Sequence, residues 1–299
     1  MSITIRKAQM GDCPKIIDMV QDLINYSDMS FKQPIDAKTL EEDGFGERIY
    51  YRCLVAEDKS AKEGGEFRRL VGYVLYHLRF SWSGRAACLE DLYVSPAYRS
   101  HGIGTGLWKA MLQDTILEGA SSCTFSVLKW NAPSLAFYKS KGAVDLTACR
   151  GYMAYSFDAD AMRTIATTDD LDAPPELSAA VTSSRAWCEL LLATSASGEL
   201  LGFLLYSVSY STVDGAHFYI NDLYVEPKHR RNKIASSLLS KLMQRSEALR
   251  WHFCDMVVAA GQEAALEFFR HHQAVNLSEA EGWVHMMLER QHMEALVDS

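Results

Sequence analysis

The stretch EDLYVSPAYRSHGIGTG, residues 90–106, decides how the chain is read. A β-rich run ending in Leu92-Tyr93-Val94 breaks at Ser95-Pro96 and leads into Arg99-Ser100-His101-Gly102-Ile103-Gly104. From Thr105 onward, Leu107, Met111, Leu112, Thr115 and Ile116 recur at helical spacing. Strand, glycine loop and helix in that order make an anion cradle. Glycines at 102 and 104 let the backbone approach a phosphate closely, and the helix N-terminus turns unpaired N–H groups toward it. A pyrophosphate fits this arrangement, although the same spacing also suits a strand-to-helix turn with no ligand.

Working outward, the segment has a counterpart in the same chain. Residues 91–151 align without a gap on 222–282: Asp91-Leu92-Tyr93-Val94 on Asp222-Leu223-Tyr224-Val225, Pro96 on Pro227, Cys123 on Cys254, Phe137 on Phe268 and Gly151 on Gly282. Upstream, LVGYVLYHL (70–78) is similar to LLGFLLYSV (200–208). The likeness ends there. The first copy has a further N-terminal region, including the amphipathic stretch Pro14 to Ile24, that the second lacks. Two related domains are expected, 1–160 and 183–299, joined by a linker over 161–182, with the second truncated at its start. Each copy reads as strand, hairpin, strand, helix, strand, helix, strand, which predicts an α+β fold around a mixed sheet.

Composition sets the outer bounds. At 299 residues, with 48% hydrophobic and 23% charged residues, the chain has the make-up of a folded globular protein of two units. The N-terminus MSITIRKAQMGD lacks a signal-peptide core, and no apolar run approaches a membrane span, so a cytoplasmic protein without membrane partners is expected. A net charge of −8 argues against nucleic acid and suits a cationic substrate. Seven cysteines, with no CxxC pair, read as buried reduced thiols, and no metal is expected.

With its strand order, the cradle resembles motif A of the GNAT acetyltransferase superfamily, where this loop holds the pyrophosphate of acetyl-CoA. Three separated segments sharpen the likeness: EDGFGERIYYRCLVAE (42–57), CLEDLYVSPAYRSHGIG (88–104) and WNAPSLAFYKSKGAVDLT (130–147). Over roughly residues 1–155 they are similar to spermidine/spermine acetyltransferase and its thialysine-acetylating relatives. The resemblance implies two tandem GNAT-like domains, each a mostly antiparallel mixed sheet flanked by helices, with acetyl-CoA as co-substrate. It implies Tyr138 as proton donor to the coenzyme sulfur and Glu90 as the carboxylate that binds the amine and takes its proton. Leu92, Tyr93, Val94, the loop Arg99 to Thr105, Asn131 and Ser134 would contact the coenzyme, while Tyr26, Asp28, Glu90 and Asp91 would face the amine. The chemistry needs such a pair, because an alkyl ammonium must lose a proton before it attacks a thioester and the departing thiolate must gain one.

The first copy departs from that pattern in its acidic groove. Ser27 stands at an acidic position of the family, with Asp28 adjacent, and the family's Glu-Gly-Trp reads Arg150-Gly151-Tyr152. An arginine there would repel an ammonium by roughly 1 to 4 kcal/mol at about 4 Å. The second copy shows the reverse. Lys233 replaces the first loop glycine, Asn221 replaces Glu90 and Phe269 replaces Tyr138, yet Glu281-Gly282-Trp283 is kept. A catalytically dead second domain is expected. Since family members are homodimers with sites near the subunit interface, an intrachain pseudo-dimer that brings Glu281 near the first groove is expected too. The substrate classes implied are a polyamine or diamine first and thialysine or another amino acid second. A non-catalytic CoA-binding scaffold is the rival of another class.

Overall fold

In the computed structural model the described residues are 2–29, 32–60, 69–82, 84–167, 176–180 and 188–298. The first copy runs β1 (Ile3–Lys7), α1 (Cys13–Tyr26), α2 (Ala37–Phe45), β2 (Arg52–Asp58), β3 (Arg69–Ser81), β4 (Gly84–Val94) and α3 (Ile103–Leu117). It continues with β5 (Ala120–Leu128), α4 (Ala132–Lys139), β6 (Val144–Asp145), α5 (Leu146–Arg150), β7 (Tyr152–Phe157) and α6 (Ala159–Thr167). The second copy has β8 (Glu176–Ala180), β9 (Glu189–Thr194), β10 (Leu200–Ser211), β11 (Gly215–Val225), α7 (Ile234–Leu249) and β12 (Cys254–Ala259). It ends with α8 (Glu263–His271), β13 (Val275–Asn276), α9 (Leu277–Ala280), β14 (Trp283–Glu289) and α10 (Arg290–Asp298).

Local sequence accounts for most of these elements. Pro14 opens α1, and Cys13, Ile16, Met19, Val20 and Ile24 put one buried stripe on it. Asp36 caps α2 by accepting the Thr39 amide. The glycine-containing segment 42–46 forms the end of this helix and its C-cap. A side chain at Gly44 would collide with the Tyr51 ring at 2.4 Å, and the Tyr51 hydroxyl in turn donates to the Leu40 carbonyl. The glycine serves close packing there.

Both sheets have seven strands, ordered β1-β2-β3-β4-β5-β14-β6 and β13-β7-β12-β11-β10-β9-β8. The order exposes an exchange. β14, from the end of the chain, pairs antiparallel with β5 in full register from Trp283 opposite Leu128 to Glu289 opposite Ser122. Reciprocally, β7 pairs with β12 from Tyr152 opposite Ala259 to Phe157 opposite Cys254. The helices follow their strands: Met293 and Leu296 of α10 join the first core, and Ala161, Met162 and Ile165 of α6 join the second. Each folded unit takes its last strand and helix from the other copy, across the expected boundaries of 1–160 and 183–299. The expected linker 161–182 carries most of α6 and the edge strand β8; residues 168–175 and 181–187, where the rest of it falls, lie outside the described residues.

A third core joins the units. Ile16, Val20, Leu40, Tyr51, Tyr73 and Tyr93 of the first pack with Tyr210 and Ala216 of the second. Polar links cross the same seam: Ser209 to His77 at 3.2 Å, Asn221 Nδ2 to the Phe80 carbonyl at 3.1 Å and Thr212 Oγ1 to Asp91 at 2.9 Å. Five of the seven cysteines are buried; Cys149 is exposed and Cys188 half-buried, so the buried-thiol expectation holds for five. No helix among the described residues is long and apolar enough to cross a membrane.

Candidate active site

β3 and β4 slip register between Leu75, opposite Asp91, and Tyr76, opposite Leu89, leaving Glu90 as the extra residue of a β-bulge. The parallel pairing of β4 with β5 stops at Cys88 opposite Thr124, although both strands run on, so the sheet opens beside Glu90. A cavity of about 320 Å³ occupies this region. Glu90, Asp91, Leu92, Asn131, Ser134 and Tyr138 line it from the first unit, and Thr212, Asp214, Tyr219 and Asp255 from the second. The volume suits a small molecule.

The electrostatics of the cavity are acidic at Glu90. Burial, then the charges of Asp91 and Asp255, hold the Glu90 carboxyl well above the ordinary range. Asp91 is raised by burial, opposed by hydroxyls that donate to its Oδ2 from Thr212 at 2.9 Å and Tyr73 at 3.0 Å. One of its oxygens is thus committed to packing, with a partner from each unit. Tyr138 packs edge-on against Trp108 and Phe137 and, tilted, against Phe125 with centroids 4.3 Å apart. Burial raises its pKa and keeps it protonated. Among the described residues none hydrogen-bonds its hydroxyl.

The loop has the form the sequence predicts. Gly102 caps α3 at φ 77, ψ −1, in the left-handed region, and Ser100 before it has φ 63. The first helical bond runs from the Gly106 amide to the Gly102 carbonyl, so the amides at 103–105 precede the helical ladder. A Cβ built on Gly102 meets nothing within 4 Å, so the side of the loop above the free amides is open. Arg99 donates Nε to the Val94 carbonyl at 2.9 Å, and the His101 ring nitrogen Nδ1 bonds the Arg99 carbonyl at 2.7 Å. Lys233 keeps the same left-handed cap at φ 59, ψ 8, so the second copy retains the loop's path and changes only what projects from it.

The other candidate residues divide. Asn131 caps α4 by accepting the Ser134 amide at 3.2 Å. Tyr93 turns away into the third core, with its hydroxyl on Asp22 at 3.1 Å. Tyr26 is exposed, lying against Trp130 and beneath the Arg99 guanidinium, and Asp28 is exposed with φ 55; neither lines the cavity, whereas Ser27 and Met29 do. Glu281 reaches the first unit through strand exchange. Its Oε2 lies 3.4 Å from Lys32 Nζ and accepts the Trp283 indole N–H at 2.8 Å. Trp283 and Lys32 both line the cavity. The exchange also corrects the expected repulsion by Arg150. Gly151 accepts from the Ala260 amide of the second unit, so the Arg150-Gly151-Tyr152 turn sits at the second unit's β12, and Arg150 does not line the cavity.

The sequence profile of the acetyltransferase (GNAT) family matches twice, over residues 20–143 and 159–273. The chain belongs to the GNAT acetyltransferase family. GNAT enzymes use acetyl-CoA, and the open strand pair and loop described above fit it. A thialysine N-epsilon-acetyltransferase from Bos taurus is 39% identical over 165 residues, 55% of this chain and 97% of that protein. Spermidine/spermine N(1)-acetyltransferase-like protein 1 from Homo sapiens is 35% identical over 156 residues, 52% of this chain and 22% of that protein. A tandem GNAT protein from the clavulanic acid biosynthesis pathway shares the fold over 96% of this chain and 98% of its own, with TM-score 0.54 at 16% identity.

Sequence reasoning on this GNAT chain missed the second unit's share of the cavity, Thr212, Asp214, His217, Tyr219 and Asp255, and the deeper His77, Arg79 and His285. Strand alternation could have put His77 and Arg79 on one face of β3. It could not show that a second sheet closes over that face.

Proposed function

We propose that the chain transfers the acetyl group of acetyl-CoA to a primary amine of a small molecule, in a ternary complex at the first unit's opening. A polyamine or diamine and thialysine are the two substrate classes its relatives act on by name. The observation that carries the reading is that Glu90, at its bulge, and Tyr138 line one cavity beside the splayed β4 and β5. Acetyl-CoA, when bound, supplies an acetyl thioester. Glu90 binds the substrate ammonium and accepts its proton, freeing the nitrogen lone pair to attack the thioester carbonyl carbon. As the carbon–sulfur bond breaks, Tyr138 gives its proton to the departing sulfur, and the acylated nitrogen releases its second proton, which restores the Tyr138 hydroxyl and leaves a neutral amide. The amides at 103–105 and the open side of Gly102 hold the pyrophosphate. In the second unit Phe269 has no proton to give, and Asn221 locks the seam through Ser207 and Phe80.

Release of CoA measured across spermidine, putrescine, thialysine and lysine tests the assignment; no turnover with any of them would favour the scaffold alternative. Two further outcomes are expected. A base held high by burial and by neighbouring carboxylates is available only above its raised pKa, so kcat/KM rises with pH through that limb. Removing one neighbouring charge in Asp255→Asn lowers the Glu90 pKa and moves the acid limb of the pH–kcat/KM profile to lower pH. Gly102→Lys, which copies the second unit, retains the fold at a cost of roughly 1–2 kcal/mol for the left-handed residue. It raises KM for acetyl-CoA about tenfold or more, read from thermal melts and initial rates together.

A further inference from the structure

One buried guanidinium in the cavity has a carboxylate, Asp255, within electrostatic range but none in hydrogen-bond contact. Arg79 of β3 is 9% exposed and lines the cavity, with its guanidinium carbon 3.4 Å from the centroid of the Tyr219 ring. Among the described residues it makes no hydrogen bond and no ion pair. A guanidinium carries five N–H donors in a planar fork that matches a carboxylate, and a buried cation left without such a partner is costly. Three imidazoles line the cavity, of which His217 is paired with Asp255 at 3.3 Å. His77 bonds Ser209 through Nε2 and leaves its buried Nδ1 without a partner, as does His285 of the exchanged β14. Burial and the nearby Arg79 charge keep both rings neutral, with His285 pushed down to about 4. Among the described residues no three His, Cys, Asp or Glu side chains converge to hold a metal ion.

Resting on the acetyl-transfer reading above, we propose that Arg79, flanked by His77 and His285, binds the carboxylate of the acceptor, so that the preferred substrate is an amino acid acetylated on its side-chain amine. Arg79 pairs with Ala86 and Glu90 lies four residues further along β4, a separation of about 13 Å at ~3.3 Å per residue. Less the reach of the Arg79 side chain, that is the scale of an extended lysine-length substrate. Asp255 of the second unit acts electrostatically on both Arg79 and Glu90; its Oδ1 lies 3.3 Å from His217 Nε2, and its other oxygen takes the α-ammonium. A diamine offers no partner for Arg79 and places a second cation toward it. The duplicated copy, without a proton donor of its own, thereby supplies Asp255 and Tyr219 to the specificity end of the working site.

The test pairs each amino acid with its decarboxylated amine: thialysine with bis(2-aminoethyl) sulfide, and lysine with cadaverine. The full-length protein is expected to prefer the carboxylate member. Arg79→Gln should lose roughly 10- to 100-fold in kcat/KM for that member, through KM, while the diamine is unchanged or improved. Arg79→Lys, which keeps the charge and fills the site, retains part of the preference and controls for folding. Calorimetric titration of the same four ligands into wild-type and Arg79→Lys protein reads the preference without turnover. Equal losses for both members, or no carboxylate preference in the wild-type protein by rate and by titration, would overturn the inference and leave a guanidinium solvated by cavity water. Diamine turnover alone leaves the acetyltransferase reading standing, whereas failure of every amine to release CoA defeats that reading instead.

Discussion

Ending the chain after Gly282 will abolish the folded catalytic unit, even though residues 1–160, with Glu90, the loop and Tyr138, are all retained. The truncation removes β14 and α10, whose Met286, Leu288 and Met293 are fully buried and whose Val284 and Leu296 are 8% exposed, all in the first core. Burying side chains of this kind is worth about 1.5–3 kcal/mol each, roughly 8–15 kcal/mol together, which equals the whole stability of an ordinary domain. It also strips β5 of its antiparallel neighbour and leaves an open edge in the middle of the sheet. Gel filtration, circular dichroism melts and CoA release should show aggregated or unfolded material without activity. A soluble, cooperative and active monomer would contradict the exchange. A fragment ending at residue 167 should be active only as a dimer, in which each copy lends β7 and α6 to the other's β5, because an exchange of last strand and helix is what the tandem chain makes within itself.

The repeat and the local elements were legible because each rests on short-range chemistry. The stripe of α1, the strand ending in Leu92-Tyr93-Val94 and the glycine cap of α3 are dictated by neighbours in sequence, and the structure places each within a few residues of its expected position. The exchange was not legible as topology. A terminal strand such as Trp283–Glu289 has two near-equivalent partners in a duplicated chain, β5 and β12, and the turn before it, with Gly151 at φ 63 in one copy and Gly282 at φ 80 in the other, is the same in both. Only the reciprocal pattern of side chains carried the signal. The first copy could lose Glu-Gly-Trp because its own last strand serves the second unit, and the second copy kept it because Trp283 lines the first unit's cavity. Glu281 comes to Lys32 and Trp283 by the same route. Asp91, read as a substrate ligand, illustrates the opposite limit: nothing near it in sequence announces Thr212, which lies in the other unit and holds it from across the seam. Tyr26 and Asp28 follow α1 to its exposed end, beyond the cavity, because helix length and not residue type sets where they lie.

Tyr138→Phe will lower kcat by about 10²-fold or more while leaving stability and KM for both substrates close to wild type. The argument separates what the ring does from what the hydroxyl does. The ring is packed among Trp108, Phe125 and Phe137, and phenylalanine preserves each of those contacts. The hydroxyl has no hydrogen-bond partner among the described residues, so its removal strands no buried group, the usual reason a polar deletion destabilises. The second unit already demonstrates the fit: Phe269 occupies the matching position, 6% exposed, packed on Phe157 and Phe268. What the substitution deletes is a proton. Burial raises the pKa of Tyr138, so at neutral pH the group is a donor and remains one until sulfur departs. Without it a thiolate must leave unprotonated, and general-acid assistance of this kind contributes about 10²- to 10⁴-fold. The discriminating measurement is the leaving-group dependence: thioesters with more acidic thiols need less protonation, so Tyr138→Phe should recover rate as the thiol pKa falls, and the wild-type enzyme should respond less. An equal loss across the thiol series would move the proton to another donor and leave Tyr138 a packing residue.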